Sequence, residues 1–182
     1  SRNLAYNKWS LALKTLENQL GRQNFDEILR TYFQRWRFRH PSRNDFIAVA
    51  NEVVNENLDW FFDQVIFGNG VVDYAFGEII DSNKVVVRRI GEVQIPVEVL
   101  VGFSDGSQTI EEWDSQSRTH TFSYPDKALV TKVIIDPELK IPLDVNLMNN
   151  SYTPVNTHFM QKYLSKWFFW MQSILVLLAT IS

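Results

Sequence analysis

Asp59-Trp60-Phe61-Phe62-Asp63-Gln64-Val65-Ile66-Phe67-Gly68-Asn69-Gly70 is the stretch where this chain changes period. Upstream of it, apolar residues recur at helical spacing. Ile28, Leu29, Tyr32, Phe33 and Trp36 make one stripe across 25–38, and Phe46, Val49, Ala50 and Val53 make another. Downstream, side chains alternate. Val85, Val87 and Arg89 alternate with Val86, Arg88 and Ile90, while Ile95, Val97, Val99, Val101 and Phe103 share one face of a long strand. Helices followed by strands predict an α+β chain: an antiparallel helical segment over 1–67, then an antiparallel β-sandwich over 71–150.

The punctuation agrees with this division. The first helix runs from Tyr6 to Gly21 on Leu11, Leu13, Leu16 and Leu20, and Gly21 suits a C-cap because it reaches positive φ without a Cβ clash. Pro41 halts the second helix. Ser42-Arg43-Asn44-Asp45 opens the third as a capping box, with Asp where Glu or Gln is usual. A short fourth helix opens at Asn57 and closes at Gly68-Asn69-Gly70. Among the strands, Ser104-Asp105-Gly106-Ser107 is expected to turn as type I′, since Asp-Gly supplies positive φ. Thr109–Trp113, Thr119–Tyr124 and Leu129–Ile135 are three further strands. Turns every 8–12 residues or so suit an antiparallel sandwich.

Composition excludes several classes. With 182 residues, 45% hydrophobic and 21% charged, the chain reads as globular. A net charge of −3 gives no strong pull toward nucleic acid, and none is expected as a partner. Without cysteine, disulfides and thiolate metal sites are excluded. Charge falls into three parts. Residues 1–67 carry nine Lys/Arg and eight Asp/Glu, residues 68–158 carry seven and thirteen, and 159–182 carry two Lys and no acid. The polar start, with no initiator Met, is expected to be a mid-protein start. Residues 159–182 read as an apolar C-terminal helix. Trp167-Phe168-Phe169-Trp170-Met171 and Ile174-Leu175-Val176-Leu177-Leu178 dominate it, with Lys162 and Lys166 on one flank. Its apolar core is shorter than the roughly 20 residues that span a bilayer. An interfacial helix, a helix docked on the body and a truncated span are all compatible with it. Membrane contact through 159–182, and hence a membrane or cell-envelope location, is one expectation.

Three blocks carry a family resemblance. The first is Tyr6-Asn7-Lys8-Trp9 with its apolar run to Leu20-Gly21; the second runs from Tyr32 to Phe46, ending Pro41-Ser42-Arg43-Asn44-Asp45-Phe46; the third is Asp59 to Gly68. In this order and spacing, residues 4–75 resemble the zinc aminopeptidases of the gluzincin clan, the membrane alanyl aminopeptidase family, in the part that follows the zinc site. The strand region resembles, more loosely, the β-sandwich that follows in bacterial members. The resemblance implies a zinc-dependent parent that removes N-terminal residues from peptides. Its partners would be an upstream catalytic domain of the same protein and a peptide substrate. It also implies a catalytic role for Tyr6, whose phenol would stabilise the oxyanion. Trp9 departs from the family's glycine.

This chain supplies no metal ligands to that chemistry. The family's zinc motif needs two His one helical turn apart with a Glu between them. His40, His120 and His158 have no such neighbours. The basic run Arg35, Arg37, Arg39 and Arg43 reads as a solvated helix end. Glu111-Glu112-x-Asp114 reads as a solvated strand end, and Asn149-Asn150-Ser151 as a chance glycosylation triplet. The expected function is thus the non-catalytic C-terminal portion of an aminopeptidase-like protein, with no cofactor of its own. The alternative is an inactive scaffold of the same kind, acting as an envelope-associated binding or assembly module.

Overall fold

The computed structural model describes residues 2–153 and Met171, with the side chains of 2–7 excepted. Ser1–Tyr152 is one compact unit and Thr153–Ser182 a second. The apolar segment expected over 159–182 lies, apart from Met171, outside the described residues. Among those described, no helix is long and apolar enough to cross a membrane.

The unit is α+β. Helices α1 (Arg2–Leu20), α2 (Arg22–Trp36), α3 (Arg43–Val54) and the short α4 (Asp59–Phe61) come first, and α4 runs on into a π-helical turn, Phe62–Phe67. Seven strands follow: β1 (Tyr74–Ile80), β2 (Lys84–Arg89), β3 (Val97–Phe103), β4 (Gln108–Trp113), β5 (Thr119–Ser123), β6 (Val130–Ile135) and β7 (Ser151–Tyr152). They make two antiparallel sheets, of order β1-β2-β5 and β4-β3-β6-β7.

Helices and sheets share one buried cluster. Leu16, Ile28, Phe61 and Phe62 reach it from the helical side, Val85 and Val87 from one sheet, and Val99, Trp113 and Val133 from the other. Alternation explains the strand contribution: Val97, Val99, Val101 and Phe103 are all buried on one face of β3.

Local chemistry sets the boundaries. Gly21 takes φ +79 between α1 and α2, and Phe25 N–H donates to its carbonyl, so α2 begins earlier than the apolar stripe suggested. The capping box is present: the Asp45 carboxylate accepts both the Ser42 N–H and its hydroxyl, each at 2.7 Å. Those bonds, the hydroxyl's first, hold the exposed Asp45 carboxyl below its usual range. The β3–β4 turn corrects the type I′ expectation. Gly106 has φ +86, but Asp105 does not have positive φ. Gly106 N–H donates to Phe103 O, and Phe103 N–H to Ser107 O. That is a three-residue loop, a type I turn closed by a left-handed glycine.

Candidate functional site

One cavity beside the resembled motif lies where α1 meets the end of the π-helical turn. Lys8 is the first residue of that motif whose side chain is described. Its Nζ donates to the Gly68 carbonyl at 2.9 Å. Gly68 is required there: a Cβ would come within 2.5 Å of the Gln64 carbonyl oxygen. The chain therefore leaves the π-helical turn hugging its own backbone and presents the Gly68 carbonyl toward α1.

Beside this contact is a cavity of about 220 Å³, walled by Val65, Val72, Val93, Leu143 and Val145, with Lys8 as its cation. Backbone bonds fix these walls. Val93 N–H donates to Val71 O at 3.2 Å, and Val145 N–H to Val72 O at 3.0 Å. Gln94 N–H donates to the Gln64 side chain at 2.8 Å. The Val71 N–H donates to the exposed Glu92 carboxylate and lowers its pKa, with smaller help from Arg118 and Arg89. The cavity can take an apolar group with a hydrogen-bond acceptor at its edge.

Behind it lies a buried polar girder. Tyr74 is fully buried; its hydroxyl donates to Ile95 O at 2.5 Å and accepts from Ile95 N–H at 3.1 Å. Burial pushes its phenol pKa up, against the lowering effect of those bonds. Ser115 Oγ donates to the same Ile95 carbonyl. Asp144 accepts from Tyr74 N–H and from the Asn150 amide, and Asp136 accepts from the Lys140 and Ile141 N–H groups. Burial raises the pKa of Asp136, with the nearby Asp144 charge adding to it. Asp144 thus ties the 144–150 segment to β1, while Asp136 closes the 136–141 turn on itself.

The structure places the other sequence candidates apart. Tyr6 is on α1, but its side chain lies outside the described residues. Trp9 is partly exposed and turns to a different cavity from Lys8. His40 and His120 are exposed, and His120 packs its ring against Trp113 and Phe122. His158 lies outside the described residues. Among those described, no three His, Cys, Asp or Glu side chains converge as a metal site. Arg35 makes a two-pronged pair with Glu52, at 2.8 and 2.9 Å. Arg89 and Asp144 carry no motif in the sequence. A trace of Arg89 was visible, since alternation puts it on the face of Val85 and Val87; nothing in the sequence marked Asp144.

The fold has a likeness among solved structures. The crystal structure of Legionella pneumophila aminopeptidase A in complex with aspartic acid matches it with a TM-score of 0.53 at 13% identity, over 76% of this chain. The matched region is 17% of that protein's chain, so this chain corresponds to a small part of its length. No protein-family model and no curated protein matches the sequence.

Proposed function

We propose that this chain is a non-catalytic portion of an aminopeptidase-like protein, placed beside a zinc-bearing catalytic region that the protein supplies elsewhere. The observation that carries this reading is the fold likeness to an aminopeptidase, spread over helices and sheets together. The order of the three sequence blocks supports it. In this reading the two antiparallel sheets are the accessory sandwich, and the helical layer is the part that meets the catalytic region. Tyr6 is the residue assigned to oxyanion stabilisation in the parent. Peptides are the parent's substrate, and 159–182 is its contact with a membrane at the cell envelope.

The test is the coding sequence ahead of Ser1 together with metal analysis. An intact His-Glu-x-x-His with a further acidic ligand downstream is expected there, with zinc in the protein that includes it and none in residues 1–182 alone. Stoichiometric zinc in residues 1–182, or substituted ligands ahead of them, overturns the reading.

One observation favours a second reading. Trp9, where the resembled motif has glycine, puts a large ring beside Tyr32 and Phe46. A scaffold that has lost catalysis would tolerate that ring and act as a binding or assembly module. Peptidase assay of the protein with intact zinc ligands separates the two: turnover supports the first reading, and none supports the second.

A further inference from the structure

We propose that the aromatic cavity beside Arg43 binds the C-terminal residue of a peptide, taking its apolar side chain inside and its carboxylate on the guanidinium. The cavity holds about 180 Å³. That is room for one side chain, below the roughly 300 Å³ at which pockets for drug-sized ligands begin. Its walls are Trp9, Tyr32, Phe46, Ile47, Phe62 and Phe67. The rings brace one another edge to face, Tyr32 on Phe46 at 5.1 Å and Phe46 on Phe62 at 6.0 Å. The cavity is therefore pre-formed, and apolar contact inside it costs little ordering.

Arg43 gives the site its charge. Its guanidinium carbon lies 4.3 Å from the centroid of Phe67. A guanidinium over a ring uses its face and leaves its in-plane N–H donors for an acceptor. Among the described residues, none accepts from it and no carboxylate lies within ion-pair distance of it. Of the acids nearby, Asp45 accepts from Ser42 and Asp59 from the Asn51 amide; Asp59 and Asp63 line, with Arg43 itself, the adjoining cavity, but neither forms an ion pair with the guanidinium. An unpaired cation at the mouth of an aromatic cavity is complementary to a carboxylate attached one carbon from an apolar side chain. An Arg–carboxylate pair there would be two-pronged.

This assignment does not depend on the catalytic reading of Tyr6. The probe is N-acetyl-L-phenylalanine, with its C-terminal amide as control, titrated calorimetrically into the full chain. The acid is expected to bind about tenfold or more tightly than the amide, from the charge-assisted hydrogen bonds alone. Arg43→Gln should reduce the acid to the level of the amide. Because Arg43 is exposed, its urea midpoint should stay unchanged. Trp9→Ala should weaken acid and amide together. No binding of the acid, equal binding of acid and amide, or an acid preference that survives Arg43→Gln overturns the proposal.

Discussion

The Arg89 guanidinium is buried and donates from Nε to the Ser115 carbonyl at 2.8 Å. Its Nη1 also donates to the carbonyls of Gly91 and Glu92. One side chain at the end of β2 thus ties the 91–92 loop to the loop after β4. Among the described residues no carboxylate pairs with it, and its hydrogen bonds all go to backbone carbonyls.

Removing that side chain leaves several buried carbonyls without a donor. Each orphaned group costs roughly 1–3 kcal/mol, so Arg89→Ala should lose about 3 kcal/mol or more in urea unfolding. Arg89→Lys should recover only part, because an ammonium is a single point and cannot fork between carbonyls on two loops. A Lys variant as stable as the parent would show that charge alone suffices.

Gly68→Ala tests the backbone contact at the candidate site. The added Cβ would lie 2.5 Å from the Gln64 carbonyl oxygen, a backbone atom that cannot swing away. The π-helical turn must open, at a cost of about 1–3 kcal/mol, and the Gly68 carbonyl should move off Lys8. Lys8→Met alone should be milder, since it removes one partly exposed hydrogen bond. The two variants compared by chemical denaturation should therefore differ, with the glycine substitution the worse.

The period change at Gly70 made the helix-then-strand order legible, because helical stripes and strand alternation are both patterns of burial. Strand β1 was not legible. Gly77 breaks its run, and the register with β2 shifts between Phe76 and Glu78, a bulge that interrupts alternation. The capping box at Ser42 could be read directly, since its two partners are three residues apart. The Lys8–Gly68 contact could not, because sixty residues separate them. Arg43 stands in the sequence as one of four arginines in the run from 35 to 43. Only the chain's path, which brings Phe67 under it, distinguishes it from Arg37 and Arg39.

If Tyr6 stabilises an oxyanion in the parent, Tyr6→Phe should act on turnover and spare substrate binding. Losing one such donor costs about 10²–10³ in kcat. Steady-state kinetics of the protein that includes the zinc-bearing region should show kcat falling by that order with KM nearly unchanged. A variant with normal kcat would return Tyr6 to an ordinary position on α1.

Alkaline stability should depend on Tyr124. Burial, and after it the charge of the nearby Glu111 carboxylate and its pull on the phenol proton, raise its pKa; no acceptor among the described residues lies within ordinary hydrogen-bond distance of the hydroxyl. The folded chain therefore keeps this proton where the unfolded chain, with a phenol pKa near about 10, releases it. More protons bound to the folded state means that stability is complete below about pH 10 and declines as pH rises through the folded pKa. Tyr124→Phe removes this contribution. Near pH 7 it should be neutral or slightly stabilising, because an unpartnered buried hydroxyl is replaced by hydrogen. Above about pH 10 its urea midpoint should fall less steeply than that of the parent chain. Parallel midpoints for the two proteins across the alkaline range would mean that the Tyr124 proton is not retained on folding.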